Sequence, residues 1–416
     1  MKIFADLHMH SKYSRACSND LTLENIEHWA RKKGLGLVGT GDFTHPNWIK
    51  EIKKELKEDE KGIYRSKTGF PFVLQTELAN IYTQDARGRK VHNILLAPSI
   101  EIVEQITEWL LTKGRVDYDG RPIFGISCVE LAEKLKEISK DIEIIPAHAW
   151  TPWFSIFGSM SGFDSVEECF QDKANEIFAL ETGLSSDPAM NWRVSKLDRF
   201  TLLSNSDSHS YWPWRMGREC NILDIELSYK NLINAIRTGK GFEGTVEVDP
   251  NYGKYHLDGH RACDVCFEPA ETKKHKNICP KCGNNLTIGV LNRVEELADR
   301  PEGFKPKGKP DFYKLIPLAE IMAGYLGVSQ PSSKKVFELY DSLVGKFGNE
   351  LNIMLEVPAE KLEQAMDKKL VDLIIKNREG KIEVTPGYDG VYGVALIEPG
   401  MEAKVRKKKQ KSLAEF

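Results

Sequence analysis

Imidazoles and carboxylates recur in this chain where strand-like runs end, and that recurrence is its clearest chemical signal. The run Asp6-Leu7-His8-Met9-His10 closes the first β-rich segment. Residues two apart on a strand share a face, so His8 and His10 point the same way. Asp42 and His45 follow the second segment, Glu77 ends the third and His92 opens the fourth. His148 ends the fifth, Glu181 the sixth, and Asp207 and His209 follow the seventh in the run SNSDSHS. His148 interrupts the apolar run IEIIPAHAW, where an unpartnered ring would be costly. Mixed imidazole and carboxylate donors suit zinc, manganese or iron. These donors exceed one tetrahedral site, so two or three metals are expected. Neighbouring metals activate a water and steady both oxygens of an in-line displacement at phosphorus, which points to phosphate-ester hydrolysis. Asp207 and Glu77 are the candidate catalytic carboxylates, with Glu181 as a ligand, a supporting group or a base. No Gly-rich phosphate loop suggests a kinase or ATPase.

These donors need a scaffold that gathers strand ends. Strand-like runs fall at 2–8, 35–40, 71–77, 90–97, 142–148, 176–181 and 199–205, with helical patterns at 22–33, 100–113, 129–140 and 228–238. Strands alternating with helices imply an α/β fold with a largely parallel sheet, doubly wound or closed as a barrel, over residues 1–245. Such folds carry their chemistry at the C-terminal ends of the strands. The remainder divides into a cysteine-rich segment at 255–300, a helical region at 310–398 and a basic flexible tail at 400–416.

Cys263-x2-Cys266 and Cys279-x2-Cys282 form two knuckles that can close a tetrahedral four-cysteine zinc site. Four thiolates leave no open position, so this zinc is structural. Lys273, Lys274, His275 and Lys276 lie between the knuckles and fit either a folding staple or a nucleic-acid-facing module. The other four cysteines are scattered, as expected of free thiols in a reducing compartment. The net charge of −3 argues against a nucleic-acid partner, but its distribution does not. Residues 251–310 hold eleven Lys/Arg against eight Asp/Glu, and residues 400–416 hold six against two. Five of the eight tryptophans (Trp150, Trp153, Trp192, Trp212 and Trp214) and Phe154 cluster around the donor motifs. They serve either core packing or stacking on bases. Trp150, Trp153, Asn191, Trp192 and Trp212 are the substrate-binding candidates.

The motifs DLHMHS, Asp42, Glu77, His92, PAH at His148 and SDSH together resemble the PHP (polymerase and histidinol phosphatase) superfamily. That resemblance implies a distorted (β/α)7 barrel with a trinuclear metal site. It implies one metal on His8, His10, Glu77 and Asp207, and a second on Glu77, His92 and His148. A third would take His209 with Asp42 or His45. The choice stays open because Gly-Asp-Phe-Thr-His stands where the superfamily has Asp directly followed by His. The order of barrel, ribbon and helical region resembles the endonuclease Q family, as do GTGDFTHP, PAHAWTPWF, RVEELADRPEGF and PGYDGVYG. This implies nicking of DNA on the 5′ side of deaminated bases (uracil, hypoxanthine, xanthine) and abasic sites. Its metals would be zinc in the ribbon and two or three barrel ions, zinc with Mg or Mn. A small-molecule phosphatase and a non-catalytic metal-bound module are the competing readings. The tail residues Gln410, Leu413 and Phe416 resemble the box that docks on the sliding clamp (PCNA). No apolar run approaches 18 residues and no charged leader precedes an apolar segment, so the protein is expected in the cytoplasm with no membrane partner.

Overall fold

The seven expected strands all form. They are β1 (Lys2–Asp6), β2 (Leu37–Gly39), β3 (Pro71–Gln84), β4 (Arg87–Ala97), β5 (Glu143–Pro146), β6 (Ala179–Glu181) and β7 (Thr201–Leu203) in a computed structural model that describes residues 2–397. Gln410, Leu413, Phe416 and the rest of the basic tail lie outside the described residues.

The strands run in a ring. β2 pairs parallel with β1 and β3, β4 pairs antiparallel with β3 and β5, and β6 pairs parallel with β7. Ala149 N–H donates to the Glu181 carbonyl and joins the ends of β5 and β6. Met9 bridges Ser208, and His10 N–H donates to the Ser208 carbonyl, which brings the chain after β7 back to that after β1. Ala5, Leu37, Val73, Ile94, Ile145, Ala179 and Leu203, one from each strand, fall in a single buried cluster. A ring with a side chain from every strand in its middle is a filled barrel. The helix Tyr229–Thr238 adds Leu232, Ile233 and Ile236 to the same cluster.

The sheet is less parallel than the alternation of elements predicts. Segments 71–77 and 90–97 are two arms of one long hairpin, turned at Asp85 and Ala86 with φ of +51° and +59°. Residues 78–84, LANIYTQ, extend the strand instead of leaving it for a helix. Beyond β1 the sheet continues antiparallel through β8 (Cys220–Asp224) and β9 (Phe242–Glu247). Glu77 therefore sits inside a ladder rather than at a strand terminus.

The cysteine segment opens with the hairpin β10 (Asp258–His260) and β11 (Val265–Phe267). The region after it is mostly helical, and its strand β12 (Phe312–Lys314) pairs parallel with β9. The helix Leu23–Lys33 ties the two parts together. Thr22 caps its N-terminus, Gly34 at φ +102° ends it, and Leu23, Ile26, Trp29, Ala30 and Lys33 form its buried face. Lys33 Nζ donates to Glu350 Oε1 at 2.7 Å and to the Pro213 carbonyl at 2.8 Å, with both charged side chains 2% exposed. Among the described residues no helix is long and apolar enough to cross a membrane.

Candidate metal centre

The pairing of β3 with β4 explains why Glu77 and His92 meet. Ala79 is opposite His92, and Glu77 is two residues from Ala79 on the same face. His92 Nδ1 consequently lies 2.8 Å from Glu77 Oε1. From across the barrel, His148 Nε2 comes within 3.3 Å of the same oxygen. The other Glu77 oxygen, Oε2, faces His10 Nε2 at 3.4 Å and His8 Nε2 at 3.7 Å. Asp207 Oδ1 closes that side, 3.1 Å from His10 Nε2 and 3.6 Å from His8 Nε2. Donor atoms of His8, His10, Glu77 and Asp207 all lie within 4.8 Å of one another, as do those of Glu77, His92 and His148. Glu77 is common to both groups. Asp42, His148 and Asp207, each just past a strand, hold left-handed φ of +43°, +32° and +46°. Such backbone costs of order 1 kcal/mol or more per residue and persists where the surroundings impose it, commonly at active sites.

A second layer of carboxylates orients the imidazoles. Glu181 Oε1 is 3.0 Å from His8 Nδ1, and its other oxygen accepts from His148 N–H at 2.7 Å. Asp42 Oδ1 is 3.1 Å from His10 Nδ1, while Oδ2 accepts from Ser11 N–H and the Ser14 hydroxyl. A carboxylate behind an imidazole fixes its tautomer and turns the opposite nitrogen toward a metal. His8 Nε2 fits that role, since it is buried without a hydrogen-bond partner and faces two carboxylates. The residues present therefore fit a cation in each group.

The electrostatics agree. Burial opposes charge on Glu77, but His92, Arg121 and His8 outweigh it and hold the carboxyl well below the usual carboxylate range. Asp207 is likewise held well below, against burial, by His8, His10 and His209. Burial also opposes protonation of His8 and His10, yet Glu181, Glu77 and Asp207 around the first and Asp42, Asp207 and Glu77 around the second raise both well above the ordinary imidazole range. Burial pulls His92 and His209 down to about 4. Concentrated negative charge that must otherwise be met by protons is what a metal cluster neutralises.

Not every expected donor joins. His45 caps the helix Pro46–Glu55 and stacks on Tyr13 with ring centroids 4.3 Å apart. Of the alternatives Asp42 and His45, only Asp42 contacts His10. His209 packs on His10 at 4.2 Å between centroids, and no third group of three donors forms around it among the described residues. Trp150 and Asn191 do come together, but in the core, where Trp150 Nε1 donates to Asn191 Oδ1 at 2.8 Å. The Asn191 amide also donates to the Asp187 carbonyl, so its polar atoms are engaged and it is not free to read a base. Trp192 is buried against Phe312. Trp153, edge-on to Tyr255, and Trp212, stacked on Trp214, remain partly exposed.

Sequence reasoning missed Arg121, whose Nη1 donates to Glu77 Oε2 at 3.0 Å. The close approach of Gly120 brings it there, because a Cβ at that position would collide with Asp42 Oδ2 and Ser14 Oγ. The segment GRVDYDGRP has no periodicity that would have marked it. His260 was missed as well. Among the described residues, the ribbon's four-donor group is His260, Cys263, Cys279 and Cys282. Cys266 is outside it, and burial, with Glu268, Asp258 and Asp264 nearby, pushes its thiol up to about 12.

Comparison with known proteins places this architecture. A family model described as the MJ0043 C-terminal domain matches residues 317–381. Uncharacterized protein MJ0043 of Methanocaldococcus jannaschii is 36% identical over 313 residues, 74% of this chain, and the chain spans 36% of that protein's length. Uncharacterized protein YqxK of Bacillus subtilis is 31% identical over 412 residues, covering 94% of this chain and 98% of that one. The crystal structure of the lesion-specific endonuclease PfuEndoQ from Pyrococcus furiosus superposes with a TM-score of 0.84 at 33% identity, covering 100% of this chain and 99% of that one. Endonuclease Q in complex with a 27-mer duplex carrying an abasic lesion at the active site gives 0.86 at 33% identity, over 99% and 100% of the chains. This chain belongs to the endonuclease Q family. As an endonuclease Q relative it joins a barrel, a ribbon hairpin with its own four-donor group and a helical region, and the two donor groups sharing Glu77 coincide with two of the three sets that the sequence resemblance implied.

Proposed function

We propose that this protein is a DNA-repair endonuclease that hydrolyses the phosphodiester 5′ to deaminated bases (uracil, hypoxanthine, xanthine) and abasic sites. The observation that carries the reading is the pair of donor groups hinged on Glu77, in a chain similar over its whole length to an endonuclease Q bound to abasic duplex DNA. His8, His10, Glu77 and Asp207 would hold one cation, and Glu77, His92 and His148 a second. Cations there supply a nucleophilic water at neutral pH and offset charge developing on phosphate oxygens. We assign zinc to them, with Mg or Mn as alternatives, and zinc to the ribbon. Glu181 and Asp42 keep the His8 and His10 rings in one orientation. Arg121, 27% exposed beside Glu77, presents guanidinium donors to an incoming phosphate. Trp153 and Trp212 offer faces on which a base can stack once it leaves the duplex. The tail residues Gln410, Leu413 and Phe416 would dock a cytoplasmic form of the protein on the sliding clamp.

The substrate claim follows from base chemistry. Deamination turns cytosine into uracil and adenine into hypoxanthine, and each replaces an amino group beside a bare ring nitrogen by a carbonyl beside an N–H. A pocket complementary to that edge opposes both parent bases with like-facing groups. The test uses otherwise identical duplexes with one central uracil, hypoxanthine, abasic site, thymine or cytosine. Nicking 5′ to the first three is expected, with little at cytosine, whose edge is opposed, or at thymine, which carries the same edge as uracil and is excluded at its methyl group and by the cost of unpairing it. Equal cutting of all five makes the protein a general nuclease, and hydrolysis of a small phosphomonoester with no cutting makes it a phosphatase.

A further inference from the structure

The segment that carries Arg121 also carries a carboxylate that belongs to neither donor group. Asp119 lies between the helix Ile100–Leu111 and the short strand Ile123–Phe124, in a stretch without helix or strand, yet its side chain is only 8% exposed. Burying a carboxylate is costly unless donors meet it. Among the described residues, every donor that meets Asp119 belongs to one of two arginines. Its Oδ1 accepts from the backbone N–H of Arg15 at 3.3 Å and from that of Arg121 at 3.2 Å. Its Oδ2 lies 3.3 Å from Arg15 Nε.

Arg15 comes from a distant part of the chain, the loop between β1 and the helix Leu23–Lys33. Gly120 N–H donates to the Tyr13 carbonyl at 3.1 Å, and the close approach of Gly120 to Ser14 and Asp42 seats the two loops against each other. One carboxylate oxygen thus fixes the place from which two guanidinium groups leave, and they diverge. Arg121 turns inward to the buried Glu77. Arg15 turns outward and its side chain is 76% exposed. Only Nε of its guanidinium is engaged, and its two terminal nitrogens meet no acceptor among the described residues. Asp207 and His209, both close enough to Arg121 to feel its charge, are partly exposed, so the centre opens beside it. A strand with one phosphate at the metals must leave over that rim. A planar fork of free N–H donors matches the paired oxygens of a phosphodiester.

We propose that Arg15 holds a DNA phosphate flanking the scissile one, and that Asp119 is the positioning residue that aims Arg15 at the flanking phosphate and Arg121 at the scissile one; this rests on the nuclease reading above. The two oxygens of Asp119 divide the task. Oδ1 seats both loops, and Oδ2 orients the Arg15 guanidinium. Asp119→Asn can keep the first acceptor but sets an amide donor against Arg15 Nε, so it should release Arg15 and leave Arg121 seated. Asp119→Ala removes both functions.

The test uses the full-length, metal-loaded protein and a duplex with one abasic site, with steady-state nicking and fluorescence-anisotropy binding measured over a range of salt. Arg15→Ala should raise KM by about tenfold, as expected for losing hydrogen bonds to a charged group. Its kcat should stay within about twofold, the signature of lost uniform binding. The slope of log affinity against log salt should become shallower by about 0.9, the share of one phosphate contact, and Arg15→Lys should restore it. Asp119→Asn should reproduce the KM of Arg15→Ala, whereas Asp119→Ala should also lose kcat, as Arg121→Ala does. An unchanged KM and salt slope in Arg15→Ala, or a wild-type KM in Asp119→Asn, overturns the proposal and leaves Asp119 a staple between two loops. If Asp119→Ala does not fold, these two variants decide. A wild-type protein that binds the duplex without cutting it refutes the nuclease reading, while the salt slope of Arg15→Ala still decides the phosphate contact. Absence of duplex binding by the wild-type protein overturns both.

Discussion

The buried pair Lys33–Glu350 joins the barrel to the helical region, and its removal makes a quantitative test of how these two parts cohere. Glu350 Oε1 accepts from Lys33 Nζ at 2.7 Å and from Leu318 N–H at 3.0 Å, while Oε2 accepts from the Tyr340 hydroxyl at 2.8 Å. Lys33 has one further acceptor, the Pro213 carbonyl, in the loop between Asp207 and Trp214. Lys33→Met leaves a carboxylate in the interior with two neutral donors. Glu350→Gln leaves an ammonium there with neutral acceptors only. Breaking a buried pair from one side costs about 3–5 kcal/mol, because the surviving charge is uncompensated. Against a typical stability of about 5–15 kcal/mol, each single variant should unfold at clearly lower urea. The double variant removes both charges, and the side-chain amide introduced by Glu350→Gln can still accept from Leu318 N–H through its carbonyl oxygen. It should fall within about 2 kcal/mol of wild type, giving a coupling energy of about 4 kcal/mol or more. Urea titration followed by tryptophan fluorescence reads this directly, since Trp29 is on the same helix as Lys33 and packs on Trp212. Additivity of the two single effects to within about 0.5 kcal/mol would show that the pair does not act as a unit and refute the reasoning.

Other consequences concern the metal centre and the tail. Glu77→Gln weakens both donor groups at once, so metal content should fall at both barrel sites while the ribbon ion stays, and nicking should drop by about 10³ or more; full barrel occupancy in the variant would remove Glu77 from its shared position. Glu181→Gln should weaken barrel metal affinity by about 10–100-fold in a chelator competition, the usual effect of losing a carboxylate behind a ligating histidine, and unchanged affinity would show that Glu181 does not support His8. Arg121→Ala should retain its metals and lose kcat/KM on lesion DNA, whereas loss of metal with intact activity per bound ion would make Arg121 a scaffold for Glu77 instead of a phosphate contact. Deleting residues 410–416 should leave nicking of a short duplex unchanged and abolish stimulation by the sliding clamp; equal clamp binding by both forms would be fatal to that assignment.

What could be read in advance depended on whether a signal was local. His8 and His10 were legible as partners because an HxH at a strand end places both rings on one side by chain geometry alone. Asp207 was legible in a similar way, from its position in the polar run just past the seventh strand. Glu77 and His92 were legible as donors but not as neighbours on one ladder. The turn at Asp85-Ala86 carries none of the glycine or asparagine that normally announces left-handed backbone, and without the turn there is no register. Trp150 and Asn191 show a related limit. Both were candidates for contact with a base, and the structure joins them to each other across 41 residues, a pairing no local pattern encodes. The ribbon is the sharpest case. Its strands have three residues each, too short for alternation to reveal which side is apolar. His260 and Cys266 therefore satisfy the same spacing rule with equal success, and only the pairing of Gly259 with Cys266 separates them. Spacing constrains which donors can reach one ion along the chain. Register decides which side chains are on its side of the sheet, and in a site built from short strands that second condition selects the ligands.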